Sequence, residues 1–294
     1  MRIALFDQYR IGIVDGASVR DVTDVTDVID SRWHGSPYVI NELIEHFDEL
    51  RAPLRAALAS AEERSLADVT LLPPIPRPGQ VLAAPANYHA HIAEMTESRY
   101  RPTNQQALRS PGDVGFFVMG SGSISGPADA IELPPMPGRA FHHEVELGVV
   151  IGKPARGIQA GQVADHIFGY LILLDLTLRT EGEQQEERTM RKSFETFTPI
   201  GPFIVTADEV PDPGNLGLRL WVNDELRQQA NTRDLIVGID ELIEQASSVV
   251  TLRPGDIYAT GTPEGVGPIE VGDVVRAEID GLGELSLPVT KRSW

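Results

Sequence analysis

Two glutamates separated by one residue give this sequence its strongest chemical signal. Glu144 and Glu146 begin the run EVELGVVIG, and alternate residues of a strand lie on the same face. Because the run becomes almost wholly apolar after Glu146, it is typical of a buried strand, where two like charges need a cation between them. The alternative is an exposed strand end with a solvated acidic face.

A third carboxylate, Asp175, follows the apolar residues 171–174. Burying an acid there is costly unless it is ligated or hydrogen-bonded, although a helix N-cap or a pair with Arg179 would also explain it. The sequence contains no cysteine, and three carboxylates without a thiolate suit Mg²⁺ or Mn²⁺, with Ca²⁺ also possible. We therefore predict a divalent metal site formed by Glu144, Glu146 and Asp175.

His91 and Glu94 lie three residues apart and would be neighbours on a helix. A carboxylate beside an imidazole selects its tautomer and raises its basicity, which is how a water-activating base is built. An exposed ion pair is the alternative. Acid–base chemistry near the predicted metal is the functional interpretation.

A glycine-rich segment, TGTPEGVG, contains Thr262. Its backbone N–H groups could approach an anion closely, although a tight hairpin turn would have the same composition. It lacks the features of a phosphate-binding loop or a dinucleotide fingerprint, so neither ATP nor NAD is implied. Earlier in the chain, Arg191 and Lys192 precede residues 199–202 (PIGP), which predict a rigid turn.

The elements that position these residues are predicted to be mostly short strands, because Gly and Pro contribute 27 and 22 of 294 residues. Residues 1–78 are expected to form a small mixed α/β domain. Its helix would start near Ser36 and would kink or restart at Pro53. The proline-rich segment 72–79 marks a domain boundary, and residues 79–294 are predicted to be a β-dominated α+β domain. Helical segments are expected there near residues 90–94, 160–166 and 240–248, and the polar residues 96–115 are expected to form a long loop.

The charge balance restricts the partners. The chain has 25 Lys+Arg against 43 Asp+Glu, a formal charge of -18, and no basic stripe, which argues against nucleic acid and acidic membrane surfaces. No apolar stretch approaches a membrane span, and the N-terminal apolar run is too short for a signal peptide. We expect a cytoplasmic protein with no membrane partner.

Together these segments resemble the fumarylacetoacetate hydrolase family, in its branch of 2-hydroxyhepta-2,4-diene-1,7-dioate isomerases and acylpyruvate hydrolases. The resemblance covers roughly residues 80–289 and is specific because many separated motifs agree in order. The matching segments are 87–88 with His91 and Glu94, 144–153, Asp175 with Arg179, 192–194, 199–202, 222–223, 252 with 254–256, and 260–267.

The resemblance implies a β-roll catalytic domain, a homodimer, and a divalent ion held by the three carboxylates. It also implies roles for six further residues. His91 and Glu94 would activate water or move a proton, Lys192 would act with them in catalysis, and Arg179, Thr262 and Tyr88 would bind substrate.

The implied substrate is a small 2-oxo or 1,3-diketo dicarboxylic acid, which reacts through a metal-stabilised enolate. Hydrolytic cleavage of a C–C bond is the first expectation, and isomerisation or decarboxylation in aromatic catabolism is the second. A catalytically silent metal-binding member is a third. It is motivated by Met119 and Gly182, which replace the usual lysine and amide residue, while His143 replaces a common aromatic.

Overall fold

The computed structural model describes residues 1–25, 31–98, 109–179 and 186–293. The strands in these ranges are β1 (Arg2–Phe6), β2 (Arg10–Asp15), β3 (Ser18–Asp21), β4 (Glu63–Ser65), β5 (Val81–Ala83), β6 (Phe117–Met119), β7 (Ile124–Ser125), β8 (Ile131–Leu133), β9 (Ala140–His143), β10 (Val145–Ile151), β11 (Ile167–Leu174), β12 (Thr177–Arg179), β13 (Thr198–Thr206), β14 (Gly217–Val222), β15 (Glu225–Asn231), β16 (Ile257–Ala259), β17 (Gly267–Ile269), β18 (Val274–Ile279) and β19 (Gly283–Lys291). The helices are α1 (Val39–Glu45), α2 (Phe47–Ala57), α3 (His89–Glu97), α4 (Pro111–Val114), α5 (Arg188–Lys192) and α6 (Ile239–Val249). The predicted β-dominated α+β class is confirmed.

One large sheet organises the molecule. Its strand order is β4-β3-β2-β1-β13-β11-β10-β16-β5-β6, with β7 paired beside β13. Because β1 pairs antiparallel with β13, the N-terminal strands extend the same sheet that carries the predicted site. The domain boundary at residues 72–79 stays a prediction.

Both faces of this sheet are covered, which explains the apolar runs of β10 and β11. Along β10, Val145, Leu147 and Val149 face one core cluster, together with residues of the five-stranded sheet β15-β14-β18-β19-β8. Val150 faces a second cluster, together with apolar residues of α1 and α2. Every residue of β10 is therefore buried, as expected for a central strand with no solvated face.

Three neighbouring strands pass from the large sheet into a small one, and each passage leaves a short gap. The large sheet contains the adjacent strands β11, β10 and β16, and the small sheet has the matching order β12-β9-β17. Glu144 lies between β9 and β10, Asp175 follows β11, and residues 260–266 link β16 to β17. In these gaps the backbone leaves the regular hydrogen-bond ladder of the sheets, so the polar side chains there can converge on one point.

The structure corrects two local predictions about proline: the helix does not restart at Pro53, and residues 199–202 do not form a turn. The N-terminal helix breaks at His46, between α1 and α2, while Pro53 lies inside α2. Pro53 and Glu49, four residues earlier, are both exposed, so water can satisfy the carbonyl that the proline leaves unbonded. The turn expected at residues 199–202 is part of β13. Its Pro202 lies where the β11–β13 register shifts, and a missing donor is tolerated at such irregularities.

The segments expected to be helical are helical in the structure, and residues 160–166 form a 3₁₀-helix. The predicted helices near residues 90–94 and 240–248 are confirmed as α3 and α6. The long polar loop expected at 96–115 falls largely on residues 99–108, which lie outside the described residues. Within the described ranges, every helix is too short or too polar to cross a membrane.

Candidate metal centre and active site

The three predicted metal ligands lie together at the gaps between the two sheets. One carboxylate oxygen from each of Glu144, Glu146 and Asp175 lies within 4.8 Å of the others, and all three residues are at most 4% exposed. In the gap itself the Asp175 N–H donates to the Glu144 carbonyl, at 2.9 Å. The solvated acidic face and the helix N-cap, both open alternatives from the sequence, are excluded.

Two cations lie against these acids. The buried Lys192 Nζ lies 2.9 Å from Glu144 Oε2 and 2.8 Å from Thr177 Oγ1, and it also donates to Asp175. Arg179 donates to Glu144 rather than to Asp175. The i,i+4 pair of Arg179 with Asp175 considered from the sequence is therefore not formed.

Burial and charge together determine the ionisation of the cluster. Burial raises the pKa of Glu144, but Lys192 and Arg179 outweigh it and hold that pKa at about 2. Burial and the neighbouring Asp175 carboxylate raise the pKa of Glu146 well above its usual value. Burial also raises the pKa of Asp175, to about 6, against the opposing effect of Lys192. Negative charge at Glu146 and Asp175 is costly here unless further positive charge approaches.

The donor set fits a divalent cation. Asp175 Oδ1 is buried and has no hydrogen-bond partner among the described residues, and a buried carboxylate oxygen without a donor is normally ligated or hydrated. Three carboxylates without sulfur or nitrogen ligands are the set that Mg²⁺ and Mn²⁺ accept, with waters completing the coordination. Glu144, Glu146 and Asp175 would hold the ion.

His91 and Glu94 form the predicted pair at the start of α3. His91 Nδ1 lies 3.3 Å from Glu94 Oε2, and Glu94 Oε1 accepts the N–H of Gly265 at 3.0 Å. Burial raises the pKa of Glu94, but the contacts with His91 and Gly265 outweigh it and hold that pKa below its usual value. An ionised Glu94 accepts a hydrogen bond from the Nδ1–H of His91, so Nε2 is the basic nitrogen of the ring. His91 is 4% exposed, unlike the surface pair that the sequence also allowed.

A buried glutamine connects the metal-ligand strand with the glycine-rich segment. Gln228 Oε1 accepts the N–H of Val145 at 3.0 Å and lies 3.1 Å from Nδ1 of His143. Its amide nitrogen donates to Thr262 Oγ1 and to the carbonyl of Pro263, both at 2.9 Å. The segment around Thr262 therefore links two sheets and is held by hydrogen bonds from Gln228. It does not form the hairpin turn that its composition also allowed.

The other positions singled out in the sequence have different surroundings. His143 is fully buried against Gln228, outside the group of candidate ligands. Burial lowers its pKa to about 4, so its ring is neutral at pH 7. Tyr88 is 3% exposed at the N-terminus of α3 and is absent from the cavity lining in the described part of the chain. Met119 packs in an apolar cluster, and Gly182 lies outside the described residues.

One cavity contains most of these groups. Of the nine site residues predicted from the sequence, seven line it: His91, Glu144, Glu146, Asp175, Arg179, Lys192 and Thr262. Seven further lining residues were not assigned to the site from the sequence: Ala84, Pro85, Ala86, Met95, Phe117, Arg188 and Arg191. The run of cations ahead of Lys192 was a signal for Arg191, whereas no pattern singled out Arg188.

Comparison with known proteins gives consistent relatives. The family model described as "Fumarylacetoacetate (FAA) hydrolase C-terminal" matches residues 80–290. A maleylpyruvate hydrolase of Aquipseudomonas alcaligenes is 40% identical over 290 residues, covering 98% of this chain and 99% of that protein. The match therefore extends through the N-terminal segment as well.

Two solved structures are similar over whole chains. A maleylpyruvate hydrolase from Sphingobium sp. SYK-6, in complex with manganese(II) and pyruvate, is 41% identical with a TM-score of 0.84, covering 100% of each chain. A 2-hydroxyhepta-2,4-diene-1,7-dioate isomerase from Mycobacterium marinum is 29% identical with a TM-score of 0.71, again covering 100% of each chain. With the family model matching most of its length, the chain belongs to the fumarylacetoacetate hydrolase family.

Proposed function

We propose that this chain is a divalent-metal-dependent hydrolase that cleaves the C–C bond of an acylpyruvate, with a maleylpyruvate-type diketo dicarboxylic acid as substrate. The observation that carries the proposal is that the acidic cluster and His91, which is paired with Glu94, line one cavity. The relatives named maleylpyruvate hydrolase support the substrate class, since one of them binds manganese(II) and pyruvate.

Glu144, Glu146 and Asp175 would hold the ion, and a bound divalent ion supplies a Lewis acid for the keto and carboxylate oxygens of a 2-oxo acid. Arg179 and Lys192 lie directly against the same carboxylates. Their positive charge stabilises negative charge that develops on the substrate oxygens in the buried cavity.

His91 supplies the base. Its Nε2 removes a proton from water, and the hydroxide oxygen bonds to the acyl carbonyl carbon of the substrate. The bond between that carbon and the pyruvate methylene then breaks, and its electron pair goes to the pyruvate enolate. Protonation of the enolate carbon gives pyruvate and a carboxylic acid. Glu94 keeps the imidazole in the required tautomer, and Gly265 holds Glu94 in place.

Isomerisation or decarboxylation of a related dioate is the second candidate. The whole-chain similarity to the Mycobacterium marinum isomerase favours it, and the same type of enolate would form in either reaction. A silent metal-binding member is the outcome expected if metal binds without turnover.

The finer assignments belong to the same proposal. We propose Mn²⁺ or Mg²⁺ as the resident ion, because oxygen ligands accept both. We also propose a cytoplasmic homodimer, as the resemblance implies. Light scattering behind a sizing column measures the assembly: a mass near twice 32.1 kDa supports the dimer, and a monomer contradicts it.

Ultraviolet-monitored turnover tests the function. The panel contains maleylpyruvate, acetylpyruvate, oxaloacetate and a 2-hydroxydienedioate, each with Mn²⁺, Mg²⁺ or EDTA. Metal-dependent release of pyruvate from maleylpyruvate supports the proposal, and turnover of only the dienedioate or oxaloacetate replaces it with the second candidate. Calorimetric Mn²⁺ binding with no turnover of any substrate favours the silent member.

A further inference from the structure

Four cations line the cavity within the described ranges, and three of them already have partners. Arg179 and Lys192 contact the acidic cluster, and Arg191 Nε donates to the carbonyl of Glu186 at 3.0 Å. Arg188 is different, because its guanidinium forms no hydrogen bond or ion pair with any described residue. A half-buried cation that lines an active site without a counter-ion is a candidate for binding a negatively charged group of the substrate.

An aromatic ring holds this side chain at a defined place. The Arg188 Cζ lies 5.1 Å from the centroid of the Phe117 ring, and Lys192 Nζ lies 5.5 Å from the same centroid. The Phe117 ring therefore lies beside both the Arg188 guanidinium and the ammonium that contacts the metal ligands. Stacking on an aromatic face orients the planar guanidinium and leaves its N–H edge available for a ligand.

The electrostatics of the cavity agree with this placement. Burial lowers the pKa of Arg188, while the negative charges of Glu144 and Asp175 raise it. The guanidinium is thus partly desolvated and feels the acidic cluster without touching it. A carboxylate bound next to it would replace the lost hydration with charge-assisted hydrogen bonds.

A maleylpyruvate-type substrate has two carboxylates at opposite ends. In the proposed function the 2-oxo carboxylate binds at the ion held by the three metal ligands. The carboxylate of the acyl half then lies away from these ligands and needs a separate cation. Arg179 and Lys192 are held by the acidic cluster, whereas Arg188 lies against the Phe117 ring and its donors have no partner among the described residues.

We infer that Arg188 binds the distal carboxylate of the acyl half and makes the enzyme selective for diketo dicarboxylates over acylpyruvates whose acyl half is uncharged. Arg188 is a specificity-determining residue, since the bond that breaks lies at the other side of the acyl carbonyl. The inference rests on the proposed function. A bidentate pair between guanidinium and carboxylate explains why arginine, rather than lysine, suits this position.

The experiment measures the hydrolysis of two substrates by the unsubstituted enzyme and by Arg188→Gln, which lacks the guanidinium. Maleylpyruvate has the distal carboxylate, and acetylpyruvate replaces that half with a methyl group. We expect Arg188→Gln to lower kcat/KM for maleylpyruvate by about 30- to 100-fold, mainly through KM, the size of a lost charge-assisted hydrogen bond. Hydrolysis of acetylpyruvate should stay within about 3-fold of the unsubstituted enzyme, because no contact with it is lost.

Two further variants make the result specific. Arg188→Lys should recover only part of the maleylpyruvate activity, because an ammonium cannot form the bidentate pair. Arg156→Gln removes an exposed arginine outside the cavity lining and should change neither substrate's kinetics. A selective loss at Arg191→Gln, with no change at Arg188→Gln, would assign the carboxylate to Arg191 and overturn the inference.

Failure of this inference is distinguishable from failure of the proposed function. If the unsubstituted enzyme releases pyruvate from neither substrate, the proposed function is wrong. If it hydrolyses both, and Arg188→Gln reduces both equally, the function stands and Arg188 has no role in selectivity. Retained Mn²⁺ binding by Arg188→Gln, measured by calorimetry, confirms that the variant is folded and its metal site intact.

Discussion

The side-chain amide of Gln228 donates a hydrogen bond to the hydroxyl of Thr262 over 2.9 Å. The orientation of this amide is unambiguous, since its oxygen accepts the Val145 N–H and its nitrogen donates to the Pro263 carbonyl. Because Thr262 Oγ1 accepts this bond, its own proton is left to point at a ligand. Gln228 thus positions a donor in the cavity while holding the strand next to Glu144.

Replacing Gln228 tests that positioning role. Gln228→Leu removes every partner of the fully buried amide, so we expect the free energy of unfolding to fall by about 2–4 kcal/mol. Gln228→Glu keeps the acceptor and loses the donors, so KM should rise about 10-fold with less change in kcat. Gln229→Leu, which replaces the exposed neighbour of Gln228, is the matched control. Unchanged KM in Gln228→Glu would show that the Thr262 hydroxyl does not depend on the amide.

Removing one carboxylate of the cluster tests the metal site. Glu146 accepts the N–H of Gly261 at 2.7 Å, so Glu146→Gln keeps the size of the side chain and loses one charge. We expect Mn²⁺ affinity to fall at least about 100-fold, and turnover to fall with it, because a charged ligand is lost. Calorimetric titration measures the affinity, with the exposed Glu241→Gln as control. Full affinity in Glu146→Gln would place the metal elsewhere.

The His91–Glu94 pair allows chemistry to be separated from metal binding. We expect His91→Ala to lower kcat by about 10²- to 10⁴-fold, the usual contribution of a general base. Glu94→Gln should have a smaller effect, since the imidazole remains and only its orientation changes. His89→Ala, an exposed histidine at the start of the same helix, should have no effect. Mn²⁺ binding should survive in all three variants, and its loss in His91→Ala would contradict a purely acid–base role.

Metal binding should also stabilise the fold. Glu144 and Glu146 lie at the start of β10 and Asp175 follows β11, so the three ligands meet only in the folded chain. Mn²⁺ at about 100 times its dissociation constant should therefore add about 2.7 kcal/mol to the free energy of unfolding. Differential scanning fluorimetry with Mn²⁺ and with EDTA measures the shift in Tm. The same shift in Glu146→Gln would mean that the ion binds outside the cluster.

The pair of Arg10 and Asp21 in the N-terminal strands predicts a pH dependence of stability. Burial raises the pKa of Asp21, but hydrogen bonds from Thr23 and Arg10 outweigh it and hold that pKa below its usual value. The folded chain therefore binds this proton more weakly than the unfolded chain. The resulting stability is fully present above the unfolded pKa of about 3.9 and is lost as the pH falls through the folded value.

Urea unfolding over a range of pH measures this effect. Asp21→Asn should lower the free energy of unfolding by up to about 1 kcal/mol at neutral pH. The difference in unfolding free energy between this variant and the unsubstituted chain should shrink below about pH 4. Asp15→Asn, which changes an exposed acid of β2, should leave the acid-side slope unchanged. A difference for Asp21→Asn that stays constant down to pH 3 would mean that the pair does not shift this pKa.

Local spacing was enough to predict part of the site. Glu144 and Glu146 converge because two residues are one period of an extended chain, and His91 meets Glu94 because three residues are almost one turn of a helix. Both relationships are properties of the backbone geometry within a few residues. The apolar runs likewise predicted the central strands β10 and β11, since only a strand covered on both faces needs them.

Tertiary structure decided which distant groups meet. Arg179 pairs with Glu144, 35 residues away, although Asp175 is closer along the chain. Gln228 reaches Val145 across 83 residues, and Arg188 lies beside Phe117 with no counter-ion in the described part of the chain. These contacts depend on the order and register of strands that cross from one sheet to the other. No periodicity within a segment encodes that order, because it is determined by the free energy of packing the whole chain.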